Sequence, residues 1–518
     1  MLVSAPTGAG KTLVAEYAIE DAVKRGKRVI YTAPIKALSN QKYRDFRDDP
    51  AMDVGLMTGD VTIHAGSQVL IMTTEILRNA IFDNPELLAD VEYVVFDEVH
   101  YMDDHERGSV WEESLIFAPP SIRLICLSAT IPNVQELGEW LSEIRGREMV
   151  VISSTRRPVP LAHRHYTERS GIFELGELDR VRKRETREAD VRSFKRGRRE
   201  RDARGGRHGG DGHDRKRGRD ERGRGNFEQN RTPDLGPLLD ELHGRDLLPA
   251  LVFAFSRKDC ERLALAHAGR ELLDLLEQER MDALVHDLLP LFQLSENELA
   301  GPLIAMARRG IAYHHAGMLP LHKEFIERLF TSGLLKLLFT TETFALGINM
   351  PARTVVFHSL RKFDGTNFDY MMTRDYLQMA GRAGRQGIDQ EGLVISLLSP
   401  RDLAEAPLKR LVLGRSEPVE SRFRLSFSSL LHLVERLGRS RVPEAWEKSF
   451  NQFQHRSQSP KQQEKNRKEQ RRLLDAHFAL LDELGYLDGD ELTGRGRVAR
   501  MINGFELELT QLLFSGVL

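Results

Sequence analysis

The chain has 518 residues, and its 75 Lys and Arg residues against 77 Asp and Glu residues leave a net charge of −2. This length exceeds what one hydrophobic core supports and predicts about three domains. The charge balance excludes a globally basic nucleic-acid-binding chain, so any basic surface must be local.

The composition also bears on the compartment. No apolar run approaches the length of a membrane span, and no charged-then-apolar leader opens the sequence. The two cysteines, Cys126 and Cys260, lie far apart in apolar runs, which predicts buried thiols rather than a disulfide. We therefore expect a cytoplasmic protein with no membrane partner.

Short apolar strands alternate with amphipathic helical segments over residues 1–153. Continuous apolar runs such as 94–96 are typical of parallel strands covered on both faces, and their alternation with helices predicts a doubly wound α/β domain. Only residues 2–4 remain to lead into a glycine-rich loop, and the sequence stops within a helical region, so we expect both ends to be cut.

A connector is predicted over residues 154–248, because its composition changes abruptly. Arg, Gly, Asp and Lys dominate residues 192–226, which contain almost nothing apolar to bury and are predicted to be disordered. Two interpretations stay open for this stretch. It is either a solvated linker or an arginine-glycine tether with loose affinity for nucleic-acid phosphates.

A second α/β pattern covers residues 249–400 and contains a helical insertion at 265–309. The region 401–518 is mainly helical, with a long charged helix near 461–484 followed by a turn-rich segment. This order favours two α/β domains followed by a winged-helix region.

The segment 5–12 has the composition of a phosphate-binding loop, although Ala5 stands where the strict Walker pattern has glycine. Gly8 and Gly10 allow backbone N–H groups to approach phosphates at the start of a helix. Lys11 is expected to reach the β- and γ-phosphates and Thr12 to bind magnesium. The residues assigned to nucleotide binding here are Ala5, Pro6, Thr7, Gly8, Ala9, Gly10, Lys11 and Thr12. A structural glycine turn is the alternative.

Asp97 and Glu98 follow a predicted buried strand, so they should emerge at the carboxyl edge of the sheet beside this loop. A carboxylate that holds magnesium, followed by one that activates water, is what phosphoryl transfer to water requires. We assign Asp97, with Thr12, to the metal and Glu98 to the general base.

Several longer segments resemble one family. They are 96–102 (Phe-Asp-Glu-Val-His-Tyr-Met), 106–113, 128–130 (Ser-Ala-Thr), 314–320, 341–351, 378–385 (Gln-Met-Ala-Gly-Arg-Ala-Gly-Arg) and 449–454. Together they resemble a DExH-box helicase of superfamily 2, in the superkiller-like branch of exosome-associated RNA helicases. The resemblance implies two tandem RecA-like domains that bind ATP and Mg²⁺ in the cleft between them.

The resemblance also implies roles for particular residues. Gln378, Arg382 and Arg385 would act in catalysis across that cleft, with the arginines meeting the γ-phosphate. Gly347 and Asn349 would contact the nucleotide. His100, Ser128 and Thr130 would couple hydrolysis to domain movement. Expected nucleic-acid contacts are Pro34, Lys36, Thr73, Thr74, Arg78, His315, Gly317 and Thr341. For Thr73 and Thr74, capping of a helix explains their position as well as a nucleic-acid contact does.

Histidine pairs at 163/165, 208/213 and 314/315 lack the spacing of a zinc site and are interpreted as turn or surface residues.

The resemblance as a whole implies a monomeric, ATP-dependent 3′-to-5′ RNA helicase or translocase. Its partners would be single-stranded or partly duplex RNA and a ribonuclease complex. A DNA repair helicase on the same scaffold, and an RNA-binding scaffold with weak unwinding, remain alternatives.

Overall fold

The computed structural model describes residues 1–50, 52–104, 107–187, 231–294, 301–345, 350–363, 367–423, 426–456, 458–502 and 505–516. The chain divides into two compact units. Unit 1 combines Met1–Arg156 with Pro418–Leu518, and unit 2 is Arg157–Glu417. The predicted disordered stretch 192–226 lies outside the described residues.

The first part of unit 1 is an eight-stranded sheet in the order β4-β3-β5-β2-β6-β7-β1-β8, parallel except for the β3–β4 pair. Its strands are β1 (Leu2–Ser4), β2 (Arg28–Ala33), β3 (Val54–Met57), β4 (Thr62–Ile63), β5 (Val69–Thr73), β6 (Val91–Phe96), β7 (Arg123–Ser128) and β8 (Val151–Ser153). Its helices are α1 (Lys11–Lys24), α2 (Lys36–Arg47), α3 (Thr74–Asp83), α4 (Gly108–Phe117) and α5 (Val134–Arg145).

The continuous apolar strands of this sheet supply two cores, as the sequence predicts. In β2, Val29 and Tyr31 pack with α1 and α2 on one face, whereas Ile30 packs with α3, α4 and α5 on the other. Successive side chains of a strand point to opposite faces, so only apolar residues in succession suit a sheet covered on both sides.

Unit 2 contains a seven-stranded sheet in the order β10-β9-β17-β14-β11-β13-β12, in which only the β10–β9 pair is antiparallel, and a two-stranded ribbon, β15–β16. The strands are β9 (Leu161–Thr167), β10 (Gly171–Phe173), β11 (Ala250–Phe253), β12 (Ile311–His314), β13 (Leu337–Thr340), β14 (Thr354–Phe357), β15 (Arg361–Phe363), β16 (Phe368–Tyr370) and β17 (Gly392–Leu397). The helices are α6 (Gly236–Gly244), α7 (Arg257–His267), α8 (Leu275–Leu291), α9 (Gly301–Ala307), α10 (Pro320–Thr331), α11 (Glu342–Ala345), α12 (Thr373–Ala380), α13 (Pro400–Glu405) and α14 (Leu408–Leu413).

Two boundaries differ from those that the sequence suggests. Strand β9, within the predicted connector 154–248, pairs in parallel with β17 over residues 161–166. Its histidines and arginine interrupt the apolar pattern of a buried strand, which explains why it reads as connector. Helices α13 and α14 lie within the predicted C-terminal region, yet Leu403, Leu408 and Leu411 belong to the core of unit 2.

The C-terminal part of unit 1 is mainly helical. It contains α15 (Phe427–Leu437), α16 (Val442–Glu447), α17 (Phe450–Gln454), α18 (Pro460–Glu483), β18 (Leu487–Asp488), β19 (Glu491–Leu492), α19 (Gly494–Arg500) and α20 (Glu506–Ser515). This part packs onto residues 1–156. Trp140 of α5 lies 5.1 Å from the ring of Phe450, and its indole N–H donates to the carbonyl of Lys448 at 2.9 Å.

Two further expectations can be checked in the described part of the chain. Cys126 and Cys260 are free and buried, which confirms the predicted thiols. Within these described residues no helix is both long enough and apolar enough to cross a bilayer.

Candidate active site

The loop between β1 and α1 has the backbone geometry of a phosphate cradle. Gly8 and Gly10 have φ angles of 82° and 85°, a region that other residues adopt only with strain. Nζ of Lys11 donates to the carbonyl of Ala5 at 2.8 Å and so ties the helix start to the loop entry. The first turn of α1 carries no acidic residue, so its N–H groups and dipole favour an anion.

This loop lies beside the neighbouring strand ends of the same sheet. The N–H of Ala5 donates to the carbonyl of Ser128 at 3.2 Å, and Oγ of Ser4 donates to the carbonyl of Ala129 at 3.0 Å. The predicted coupling segment 128–130 is therefore in direct contact with the entrance of the loop.

Asp97 directly follows β6, and the structure fixes both of its carboxylate oxygens. Tyr31 donates to Oδ2 at 2.6 Å, and the N–H of Glu98 donates to Oδ1 at 3.0 Å. Burial, and next the charge of Glu98, raise the pKa of Asp97 to about 6. The sequence analysis missed Tyr31, whose position in an apolar run gave no signal of a polar role.

Glu98 has a left-handed backbone, with φ 56° and ψ 47°. Such a conformation costs a residue with a side chain on the order of 1 kcal/mol or more and is common at functional sites. Within the described residues its buried Oε2 has no hydrogen-bond partner, although it lies 3.4 Å from Nδ1 of His100. The same nitrogen accepts from the N–H of Ala129 at 3.4 Å. His100 thus stands between the candidate base and the segment 128–130.

The two residues predicted to couple hydrolysis to domain movement in the segment 128–130 are Ser128 and Thr130. Their hydroxyl oxygens are buried, and neither forms a hydrogen bond with the part of the chain that the structure describes.

The residues present fit a magnesium ion bound with a nucleotide. In the described ranges no three His, Cys, Asp or Glu residues gather as a complete metal site. Magnesium usually takes one or two carboxylates together with phosphate oxygens and waters, so a single fixed carboxylate is sufficient. Asp97 and the hydroxyl of Thr12 supply the hard oxygen donors that this ion prefers.

In unit 2 the arginine candidates follow α12, which carries the buried Gln378. The Arg382 guanidinium donates twice to the carbonyl of Ala345. Arg385 forms a two-pronged ion pair with Asp389, at 2.8 and 2.9 Å, and this guanidinium holds the pKa of Asp389 below its ordinary value despite burial. Gly347 and Asn349 lie outside the described residues.

Among the nucleic-acid candidates of unit 1, only Lys36 extends to solvent. Its side chain is 52% exposed and pairs with Asp60 at 2.6 Å. Pro34 is buried, and Thr73 and Thr74 are buried at the start of α3. Thr73 is the residue before the helix, yet its side chain makes no capping bond, so the capping alternative is not seen.

Arg78, which is predicted to contact nucleic acid, is engaged inside unit 1. It is 5% exposed, and its Nε donates to Glu113 at 2.7 Å. Its guanidinium also contacts Ser429 at 3.4 Å and lies over the ring of Phe82. This arginine joins α3, α4 and the C-terminal part of unit 1, and these contacts use most of its guanidinium.

Arg107, which the sequence analysis did not assign to the site, connects two of the segments predicted to contact nucleic acid. Arg107 donates to the carbonyl of Pro34 at 2.6 Å and to Glu75 at 3.2 Å. It therefore joins the two segments of unit 1 that are predicted to contact nucleic acid. Its position just before α4 gave the sequence no clear sign of this role.

The candidates of unit 2 are mostly engaged internally. His315 is buried between Glu261, at 2.9 Å from Nε2, and the N–H of Gly317, which donates to Nδ1 at 3.1 Å. Thr341 forms a hydroxyl pair with Thr343 at 2.9 Å.

The described histidine pairs were expected in turns or at the surface, but several are strand residues with little exposure. His165 and His314 are buried within β9 and β12, and His315 is buried directly after β12. The residues at 208 and 213 lie outside the described ranges.

Two family models match the chain. DEAD/DEAH box helicase matches residues 1–137, and helicase conserved C-terminal domain matches residues 292–387. The first match falls on the parallel sheet of unit 1 and the second on that of unit 2, which confirms the α/β fold with two tandem RecA-like domains.

Curated proteins similar to this chain include superkiller complex protein 2 from Mus musculus, 40% identical over 502 residues, which are 96% of this chain and 38% of that protein. Exosome RNA helicase MTR4 from Homo sapiens is 40% identical over 88% of this chain and 42% of its own length. ATP-dependent RNA helicase mtr4 from Schizosaccharomyces pombe is 39% identical over 93% of this chain and 42% of its own length. The chain spans about two fifths of these relatives.

Proposed function

Because this chain belongs to the DExH-box helicases, in the superkiller-like branch that includes MTR4, we propose that it is the motor portion of an ATP-dependent RNA helicase. The observation that carries this proposal is the pair Asp97 and Glu98 beside the phosphate loop. One carboxylate has donors on both oxygens, whereas the other keeps a buried oxygen without a hydrogen-bond partner in the described chain.

The chemistry follows from these two environments. Lys11 and the N–H groups at the start of α1 bind the phosphates, while Thr12 and Asp97 hold magnesium. When bound, magnesium neutralises phosphate charge. Glu98 accepts a proton from the attacking water through its free oxygen, a bond forms between that water and the γ-phosphorus, and the bond to the β-phosphate oxygen breaks to release ADP.

Unit 2 contributes fixed positive charge to the same reaction in this proposal. Arg382 and Arg385 stabilise the charge that spreads over the transferred phosphoryl group, and Gln378 positions the water. Asp389 holds Arg385 through a two-pronged ion pair, which supports a pre-organised guanidinium.

RNA is the proposed substrate, with movement along one strand in the 3′-to-5′ direction. The names of the relatives include RNA helicases and an exosome helicase, which supports RNA rather than DNA and a ribonuclease complex as partner. Lys36 is the exposed cation among the unit 1 residues assigned to the strand. The buried free thiols of Cys126 and Cys260 support a cytoplasmic, reducing location, and a monomeric motor completes the proposal.

A duplex-displacement assay tests this proposal directly. An RNA duplex with a 3′ overhang should be separated in the presence of ATP, and one with a 5′ overhang should not. ATP hydrolysis should rise on addition of single-stranded RNA and fall by about a hundredfold or more in Lys11→Ala and Glu98→Gln. Stronger stimulation by single-stranded DNA would favour a DNA helicase. Binding of RNA without hydrolysis or displacement would favour a scaffold.

A further inference from the structure

We propose that Arg157 is a positioning residue for the arginines of unit 2, acting through the strap formed by residues 157–160. This inference rests on the proposed function, in which Arg382 and Arg385 stabilise the transition state. The strap directly precedes β9, and its contacts to the loop 381–385, which carries both arginines, lie entirely within unit 2.

Three hydrogen bonds place the Arg157 guanidinium at the end of α12. Nη2 donates to the carbonyls of Gly381 at 3.0 Å and Ala383 at 3.3 Å, and Nε donates to the carbonyl of Val159 at 3.0 Å. The first two carbonyls flank Arg382 in the sequence. One planar group therefore fixes the backbone on both sides of a candidate catalytic arginine.

The surroundings of Arg157 are unusual for a cation. It is largely buried, and no carboxylate of the described residues forms an ion pair with it; burial alone lowers its pKa from the ordinary value. A buried charge is costly unless its donors are satisfied. Here backbone carbonyls past the last turn of a helix, the negative end of its dipole, provide the compensation. A guanidinium can reach all three acceptors, whereas an ammonium is a compact point charge.

Two glycines of the loop make room for the strap. A Cβ on Gly384, whose φ is 87°, would lie 2.5 Å from Cγ1 of Val159. A Cβ on Gly381 would lie 3.1 Å from Nη1 of Arg157 and 3.0 Å from the carbonyl of Leu377. The spacing that resembles a phosphate-sensing motif thus also serves close packing against residues 157–160.

The other side of the loop is fixed to the sheet. The N–H of Ala352 donates to the carbonyl of Arg382 at 2.9 Å, and the N–H of Gly384 donates to the carbonyl of Ala352 at 2.8 Å. Because one side is already held, removal of Arg157 should release the strap side of the loop without unfolding the sheet. The expected consequence is misplaced arginines and a slower chemical step.

The test compares Arg157→Ala and Arg157→Lys with Arg156→Ala, an exposed arginine next to it in the sequence. We expect Arg157→Ala to lower kcat for ATP by about 10- to 100-fold, with KM and the melting temperature nearly unchanged. Arg157→Lys should recover only part of this loss, and Arg156→Ala should behave as wild type. A kcat within about twofold of wild type in Arg157→Ala would overturn the inference.

A combined variant separates positioning from a general structural effect. If Arg157 acts through the two arginines, Arg157→Ala added to the pair Arg382→Ala and Arg385→Ala should hydrolyse ATP no more slowly than that pair alone, within about twofold. Losses that multiply would overturn the inference. The milder Arg157→Lys serves in the same cycle should the alanine variant not fold. Failure of the proposed function is recognised separately: Glu98→Gln would then hydrolyse ATP as fast as the wild type does.

Discussion

The hydroxyl of Tyr31 on β2 donates a hydrogen bond of 2.6 Å to Oδ2 of Asp97 at the end of the adjacent strand β6. This bond orients the carboxylate assigned to magnesium and opposes the increase in its pKa that burial causes. The ring of Tyr31 itself packs in the hydrophobic core. A core residue therefore contributes a hydrogen bond to the site.

Tyr31→Phe should weaken magnesium-dependent ATP hydrolysis while leaving the fold intact. Loss of one charge-assisted hydrogen bond corresponds to about 1.5–3 kcal/mol, so we expect about a tenfold or larger increase in the magnesium concentration needed for half-maximal hydrolysis. Tyr93→Phe is the matched control, because that hydroxyl accepts a hydrogen bond from the exposed Arg123 at 3.4 Å and lies away from Asp97 in the contacts of the described residues. Equal magnesium dependence in both variants would contradict the assigned role.

Glu112 should make the stability of unit 1 depend on pH. It accepts from the N–H of Phe450 at 2.8 Å and from the hydroxyl of Ser421, yet burial raises its pKa to about 7 from the ordinary 4.5. The folded state therefore binds the proton more tightly than the unfolded state. Its stabilising contribution is complete below pH 4.5 and is lost as the pH rises through about 7.

Glu112→Gln tests this pH dependence, since the amide keeps the shape but cannot ionise. The free energy of unfolding of Glu112→Gln minus that of wild type should grow between pH 5 and 8, up to on the order of 3 kcal/mol. Urea unfolding at several pH values measures the difference. A difference that stays constant over this range would show that Glu112 does not titrate in the folded protein.

Arg78→Ala should destabilise unit 1 rather than weaken RNA binding by the folded protein. It would leave Glu113 buried without its cation, a change that typically costs about 3–5 kcal/mol. The double variant Arg78→Met, Glu113→Gln should recover much of this loss. Denaturant unfolding measures stability, and RNA titration at a temperature where each variant is folded measures affinity. Weakened RNA binding at unchanged stability would instead indicate that Arg78 contacts nucleic acid.

Lys36→Ala should reduce RNA affinity without changing ATP hydrolysis in the absence of RNA. If Lys36 neutralises one phosphate, the slope of log affinity against log salt should become less steep by about one. Lys24→Ala is the control, because Lys24 is also exposed and also pairs with a carboxylate, that of Glu20 at 3.4 Å. The same loss in both variants would indicate a nonspecific charge effect.

The strands of both sheets were predictable where they consist of continuous apolar residues, as at 94–96 in β6 and 355–357 in β14. Burial on both faces leaves an unmistakable pattern there. Strand β9 was not, because it carries His165, which the structure buries, and the half-buried His163, whose Nδ1 lies 2.8 Å from the hydroxyl of Tyr376. A polar residue satisfied by a distant partner cannot be distinguished from a loop residue in the sequence alone.

The same reason limits prediction of the site. Lys11, Asp97 and Glu98 lie in short motifs whose geometry is set locally by a glycine turn and a strand end. Arg78 depends on Glu113 and Ser429, which only the folded chain brings to it. The segment holding Arg157 gave no signal, because two of its three acceptors are backbone carbonyls 224 and 226 residues away.

Unit 1 is assembled from two stretches of polypeptide between which all of unit 2 is synthesised. While the nascent chain leaves the ribosome, Glu112 and Trp140 lack their partners Ser421, Lys448 and Phe450, which are translated only after unit 2. Unit 2 can therefore reach its native state before unit 1. Until translation passes Phe450, the helices around Trp140 present an uncovered apolar face, the kind of surface that holding chaperones bind.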